Sequence, residues 1–116
     1  MNRRTLITVL TLAGTVVFPL QAFAGDTAIA GSYSVQGRNV DGQPYSGSAN
    51  VSQDGSFVSI VWTVAGETFN GAGAIDGKVV TVEWNAEFPI VYVVAPDGEL
   101  HGTWADGLAL DKLTPQ

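Results

Sequence analysis

Three two-residue turn signals, Asp54-Gly55, Ala65-Gly66 and Asp76-Gly77, punctuate one alternating stretch from Tyr45 to Trp84. Asp-Gly between alternating apolar runs predicts a β-hairpin, because a type I′ turn needs positive φ at both central residues. A two-residue loop also sets the register. The first turn then places Val51 opposite Val58, Ala49 opposite Ile60, Gly47 opposite Trp62 and Tyr45 opposite Val64. The second places Trp62 opposite Phe69, Ile60 opposite Gly71 and Val58 opposite Gly73. The third places Phe69 opposite Trp84, Gly71 opposite Val82 and Gly73 opposite Val80. Read separately, the three turns agree on the sharing of faces. One face carries the apolar and glycine positions; the other carries Ser46, Ser48, Asn50, Ser52, Ser59, Thr63, Thr68, Asn70, Thr81 and Glu83.

The rest of the chain extends this meander. A first strand is expected over Ile29–Gly37, with Ile29, Tyr33 and Val35 inward, after a short mobile lead-in at Gly25–Ala28. Asn39–Pro44 forms a long loop, and Asn85–Pro89 another. Ile90–Ala95 is so uniformly apolar that alternation assigns neither face. Pro96-Asp97-Gly98 leads into Glu99–Trp104, with Leu100, Gly102 and Trp104 on one face. The last turn has two readings. A two-residue loop at Asp106-Gly107 pairs Gly102 with Asp111 on the inward face. A three-residue loop over Ala105–Gly107 pairs Trp104 with Leu108 and Gly102 with Leu110. The second keeps the apolar set together and is preferred, with Gly107 suited to a bulged turn.

The fold class is therefore all-β: an antiparallel up-and-down meander of about eight strands, closed as a barrel. A two-layer sandwich is the competing architecture. Inward Gly47, Gly71, Gly73 and Gly102 favour the barrel, since glycine permits the sharp coiling of a narrow one.

Residues 1–24 carry the marks of a signal peptide: basic Asn2-Arg3-Arg4, apolar Leu6–Leu20, and Ala22-Phe23-Ala24 before a cleavage site. The apolar run is broken by Gly14 and Pro19 and is short for a membrane span; a retained anchor is the alternative. Residues 25–116 form a single domain, exported to the periplasm or beyond. Without Arg3 and Arg4, the cations left are Arg38, Lys78 and Lys112, against 11 acidic residues. That balance argues against nucleic acid and anionic lipid as partners. Zero cysteines remove disulfides and thiol chemistry.

The segments Gly31–Gly37 (GSYSVQG), Asn39–Gly47 (NVDGQPYSG), Phe69–Gly73 (FNGAG) and Asp97–Trp104 (DGELHGTW), with the closing Leu113–Pro115, carry a resemblance. The chain resembles small exported bacterial proteins often labelled fibronectin-binding. The resemblance spans nearly all of residues 25–116 and implies a protein-binding function, with no residue assigned to it. Gly-x-aromatic in the first strand and Asp-Gly-x-Leu-x-Gly-Thr-aromatic late in the chain give a looser, fold-level likeness to avidin and lipocalin barrels.

No catalytic constellation is expected. His101, the sole histidine, lies on the outward parity, and no Gly-x-Ser-x-Gly elbow is present. One histidine and no cysteine supply no usual zinc or copper site. Asn39-Val40-Asp41-Gly42 lacks the further ligands of a calcium loop. Asp41, Asp54, Asp76, Asp97 and Asp106 all precede glycine, so turn-making accounts for them. Neither metal nor cofactor is expected.

Two binding surfaces are expected instead. Tyr45, Trp62, Phe69, Trp84 and Trp104 fall on the inward parity near the end that bears the longer loops, as at the mouth of a ligand-binding barrel. These rings either plug the small barrel or cover a shallow cavity left by the inward glycines. On the outer wall, Phe57, Ala72, Ala74 and Val79 form an apolar patch near the tight-turn end, suited to a protein partner or a second copy. The wall as a protein contact is the leading expectation. A small apolar or aromatic ligand at the indole end is the alternative.

Overall fold

The computed structural model describes residues 26–116. The expected signal peptide over 1–24 lies outside the described residues. Eight antiparallel strands follow: β1 Gly31–Arg38, β2 Pro44–Asp54, β3 Phe57–Val64, β4 Glu67–Asp76, β5 Val79–Glu83, β6 Ile90–Val94, β7 Leu100–Trp104 and β8 Ala109–Pro115. Each pairs with its chain neighbours, and β8 returns to β1 with Leu113 opposite Val35, closing the barrel. Closure leaves no free sheet edge. The period-two alternation becomes the two sides of the wall: Val58, Ile60, Val80, Val82, Tyr92, Leu100 and Leu113 are fully buried inside. At Gly47 and Gly73 an added Cβ would run into the carbonyls of Thr63 and Thr81, so the neighbouring strand packs where a side chain would stand.

The Ala65-Gly66 hairpin has the expected register, with Trp62 opposite Phe69 and both turn residues at positive φ. The other two hairpins are shifted by two residues. β2 and β3 pair Ala49 with Trp62 and Val51 with Ile60; β4 and β5 pair Gly73 with Val82 and Ile75 with Val80. The cause is the place of glycine in the turn. Gly55 and Gly77 take positive φ as the first of the two central residues, with Ser56 and Lys78 second, the pattern of a type II′ turn. A shift of two keeps every side chain on its face.

The last hairpin differs in kind. A four-residue loop over 105–108 brings Trp104 opposite Ala109 and Gly102 opposite Asp111. This is the inward-Asp111 pairing, not the preferred apolar one. Leu108 and Leu110 are therefore outside and more than half exposed, while Asp111 is buried.

The lead-in is anchored rather than mobile over its described part. Thr27 N–H donates to Gly77 O at 3.1 Å, and Gly77 N–H donates to Asp26 Oδ1 at 3.0 Å. Gln53 accepts from Ile29 N–H at 2.7 Å and donates to Thr27 O at 3.0 Å. Buried Ile29 and these bonds lie across the tight-turn end. The opposite end, with its longer loops, stays open.

Candidate functional site

Five strands contribute one inward row that crosses the barrel wall: Tyr45 of β2, Gly37 of β1, Asp111 of β8, Gly102 of β7 and Tyr92 of β6. Asp111 is flanked on both sides by glycine, and each glycine is flanked by tyrosine. An added Cβ at Gly37 would collide with the Tyr45 ring, and one at Gly102 with the Tyr92 ring. The tyrosines thus lie flat over the glycines and reach the carboxylate from opposite sides.

Tyr45 Oη donates to Asp111 Oδ1 at 2.7 Å, and Tyr92 Oη donates to Oδ2 at 2.5 Å. Each hydroxyl in turn accepts from an indole: Trp104 Nε1 to Tyr45 at 2.9 Å, Trp62 Nε1 to Tyr92 at 3.0 Å. Two chains, each indole to phenol, converge on one carboxylate, so each bond polarises the next. Burial raises the Asp111 pKa, opposed by the bonds from Tyr92 and Tyr45. Burial also raises both tyrosines, and the Asp111 charge raises them further. Among the described residues the one ion pair is His101–Glu99, so Asp111 has no cationic partner.

Above this row lies a cavity of about 330 Å³. Tyr45, Trp62, Phe69, Trp84 and Trp104, the five aromatics expected at the mouth, all line it, together with Asp111. Trp62 is buried, whereas Tyr45, Phe69, Trp84 and Trp104 pack partly exposed against the core. Of these five inward rings Trp62 alone is buried, because the others form the rim. The rings meet edge to face, with Trp84–Trp104 centroids 5.6 Å apart at 85° and Phe69–Trp84 centroids 6.2 Å apart at 67°. They frame the space without filling it. Trp84 is fixed by its Nε1–H donating to Phe88 O at 3.1 Å.

On the outer wall Phe57 is 56% and Val79 45% exposed. Phe57 pairs with Ala74, and Ala72 lies one step further along opposite Ser59. Val79, however, sits between Asp76 and Val93, one row from Phe57, because of the shifted turns. Exposed Val93, paired with Val79, carries the apolar wall beyond the four expected residues. His101 faces outward and binds Glu99 at 2.8 Å. No group of metal-ligating side chains occurs among the described residues.

Sequence reasoning missed Asp111 and Tyr92. Tyr92 was hidden in a run without alternation, and Asp111 was legible only in the set-aside turn reading. No family model, no curated protein and no solved structure matches the chain.

Proposed function

We propose that the protein is an exported, non-catalytic binding module that holds a small apolar or aromatic ligand in the indole-lined cavity. The observation that carries this reading is the convergence of Tyr45, Trp62, Phe69, Trp84 and Trp104 on one space at the open end. An apolar concavity with a few fixed polar groups is the usual form of a small-molecule site. Tryptophan fluorescence tests it. All three tryptophans line the cavity, so a ligand there shifts or quenches the emission. Trp104→Ala, at the partly exposed rim, should weaken that response while the protein still folds. A panel of apolar and aromatic compounds that leaves the emission unchanged would count against the site.

A second reading places a protein partner, or a second copy of the chain, on the outer wall. Exposed Phe57, Val79 and Val93 favour it, since bulky apolar groups on a polar wall suit a protein contact. Phe57→Ser should then abolish partner binding or self-association with stability changed by less than about 1 kcal/mol. Unaltered association in Phe57→Ser removes this reading.

A further inference from the structure

The polar groups of the cavity are committed unequally. All three indole N–H groups donate to protein acceptors, Trp62 to Tyr92, Trp104 to Tyr45 and Trp84 to the Phe88 carbonyl. The Tyr92 phenolic proton goes to the Asp111 carboxylate, and that of Tyr45 is shared between the carboxylate and the Leu110 carbonyl at 2.9 Å. The aromatic side chains therefore offer an incoming molecule ring faces and no free donor. An anion would find no partner among them. The Asp111 carboxylate receives one hydroxyl on each oxygen, which leaves acceptor capacity on both. Among the described residues no cation pairs with it, and Glu67 adds a second acid to the lining.

We propose that the cavity takes a small organic ammonium ion, its charged end toward Asp111 and its apolar body among the indole faces. This rests on the cavity being the ligand site. Tryptophan faces attract cations through the ring quadrupole, most strongly where water is excluded. The carboxylate supplies the opposite charge, and the two tyrosines hold it in place. The acidic balance of the chain adds a long-range field of the same sense.

The test compares benzyltrimethylammonium with neopentylbenzene, which has carbon in place of nitrogen and no charge. Binding is read by tryptophan fluorescence of the folded protein. The ammonium ion should bind at least about tenfold more tightly than its carbon counterpart. Asp111→Asn should erase that preference, bringing the ratio of the two affinities to about one. If Asp111→Asn fails to fold, the pH profile of the wild type decides. Benzyltrimethylammonium keeps its charge at every pH, so its affinity should fall as pH drops through the raised Asp111 pKa. The titratable groups on this side are Tyr45 of β2, Tyr92 of β6 and Glu67 of β4; β1 and β7 bring only Gly37 and Gly102. Arg38, His101 and Lys112 stand on the outer face of β1, β7 and β8, along a second, outer cavity that Asp111 also borders. In Glu67→Gln protein the affinity should still fall as pH drops, with Asp111 then the one acid in the lining.

Equal binding of the two compounds, or a flat profile for the ammonium ion in folded protein, overturns the proposal and leaves the cavity as an apolar site. No response to either compound overturns the cavity reading as well. Phosphatidylcholine vesicles present the same quaternary group: co-sedimentation with them assigns a lipid headgroup as its source, and its absence a free ion.

Discussion

Gly102→Ala tests the row through Asp111 with a single methyl group. The new Cβ would stand 2.5 Å from Tyr92 Cδ1, 2.9 Å from Cε1 and 2.7 Å from the Val91 carbonyl oxygen. Neither partner yields easily: one is a buried ring and the other is backbone. Overpacking of this kind costs about 1–3 kcal/mol. Moving the ring also draws its hydroxyl from Asp111, and a hydrogen bond to a charged group contributes about 1.5–3 kcal/mol. Against this, replacing glycine by alanine restricts the unfolded chain and returns about 0.4–1 kcal/mol. The net loss expected is about 2–5 kcal/mol, a large share of the stability of a small domain. Urea melts followed by tryptophan emission measure it. Tyr92→Phe supplies the control, since it deletes the hydroxyl without the clash and should cost about 1–3 kcal/mol. Combined, the two changes should cost less than their sum, because the hydroxyl is lost only once. A Gly102→Ala protein as stable as the wild type, or more so, refutes the reasoning.

Three further outcomes are expected. All three tyrosines have pKa values raised above 10.0, chiefly by burial. Their neutral forms therefore support the fold below pH 10.0, and that support is lost as pH rises through the raised values. Tyrosinate absorbance should accordingly appear together with alkaline unfolding; titration of the phenols at their ordinary pKa in a folded protein would contradict this. Asp111 is also raised, above 3.8, so its contribution is fully present below that pH and lost as pH rises through the folded value. Paired urea melts should show the wild type losing ground to Asp111→Asn as pH rises, and a gain would show that the tyrosine bonds outweigh burial. At Gly71 a Cβ would lie 2.6 Å from Val82 Cγ1 and 2.8 Å from Trp62 Cη2, so Gly71→Val should cost about 1–3 kcal/mol. A stabilised Gly71→Val protein would show spare room beneath Trp62.

The inward set of the central strands was legible residue by residue. Phe69 and Val82 stand between polar neighbours on both sides, and a period of two keeps its phase through any shift of two residues. That is why two hairpins could slip in register while the faces and the five mouth aromatics stayed where alternation put them. Turn chemistry was less informative, because glycine can stand first or second in a two-residue loop, and the choice moves the partner strand by two.

Asp111 lay beyond this reach. Strand patterning alone favours leucine inside over a carboxylate, and on that ground Leu110 was the expected inward residue. What reverses the preference is a pair of hydroxyls from Tyr45 and Tyr92, 66 and 19 residues away along the chain, brought to both carboxylate oxygens only when the barrel closes. Alternation is a local property and determined which side chains face inward along the central meander. The cost of burying a charge depends on what surrounds it in space, so the turn of β7 into β8, and with it the acid beneath the indoles, was decided by the tertiary structure.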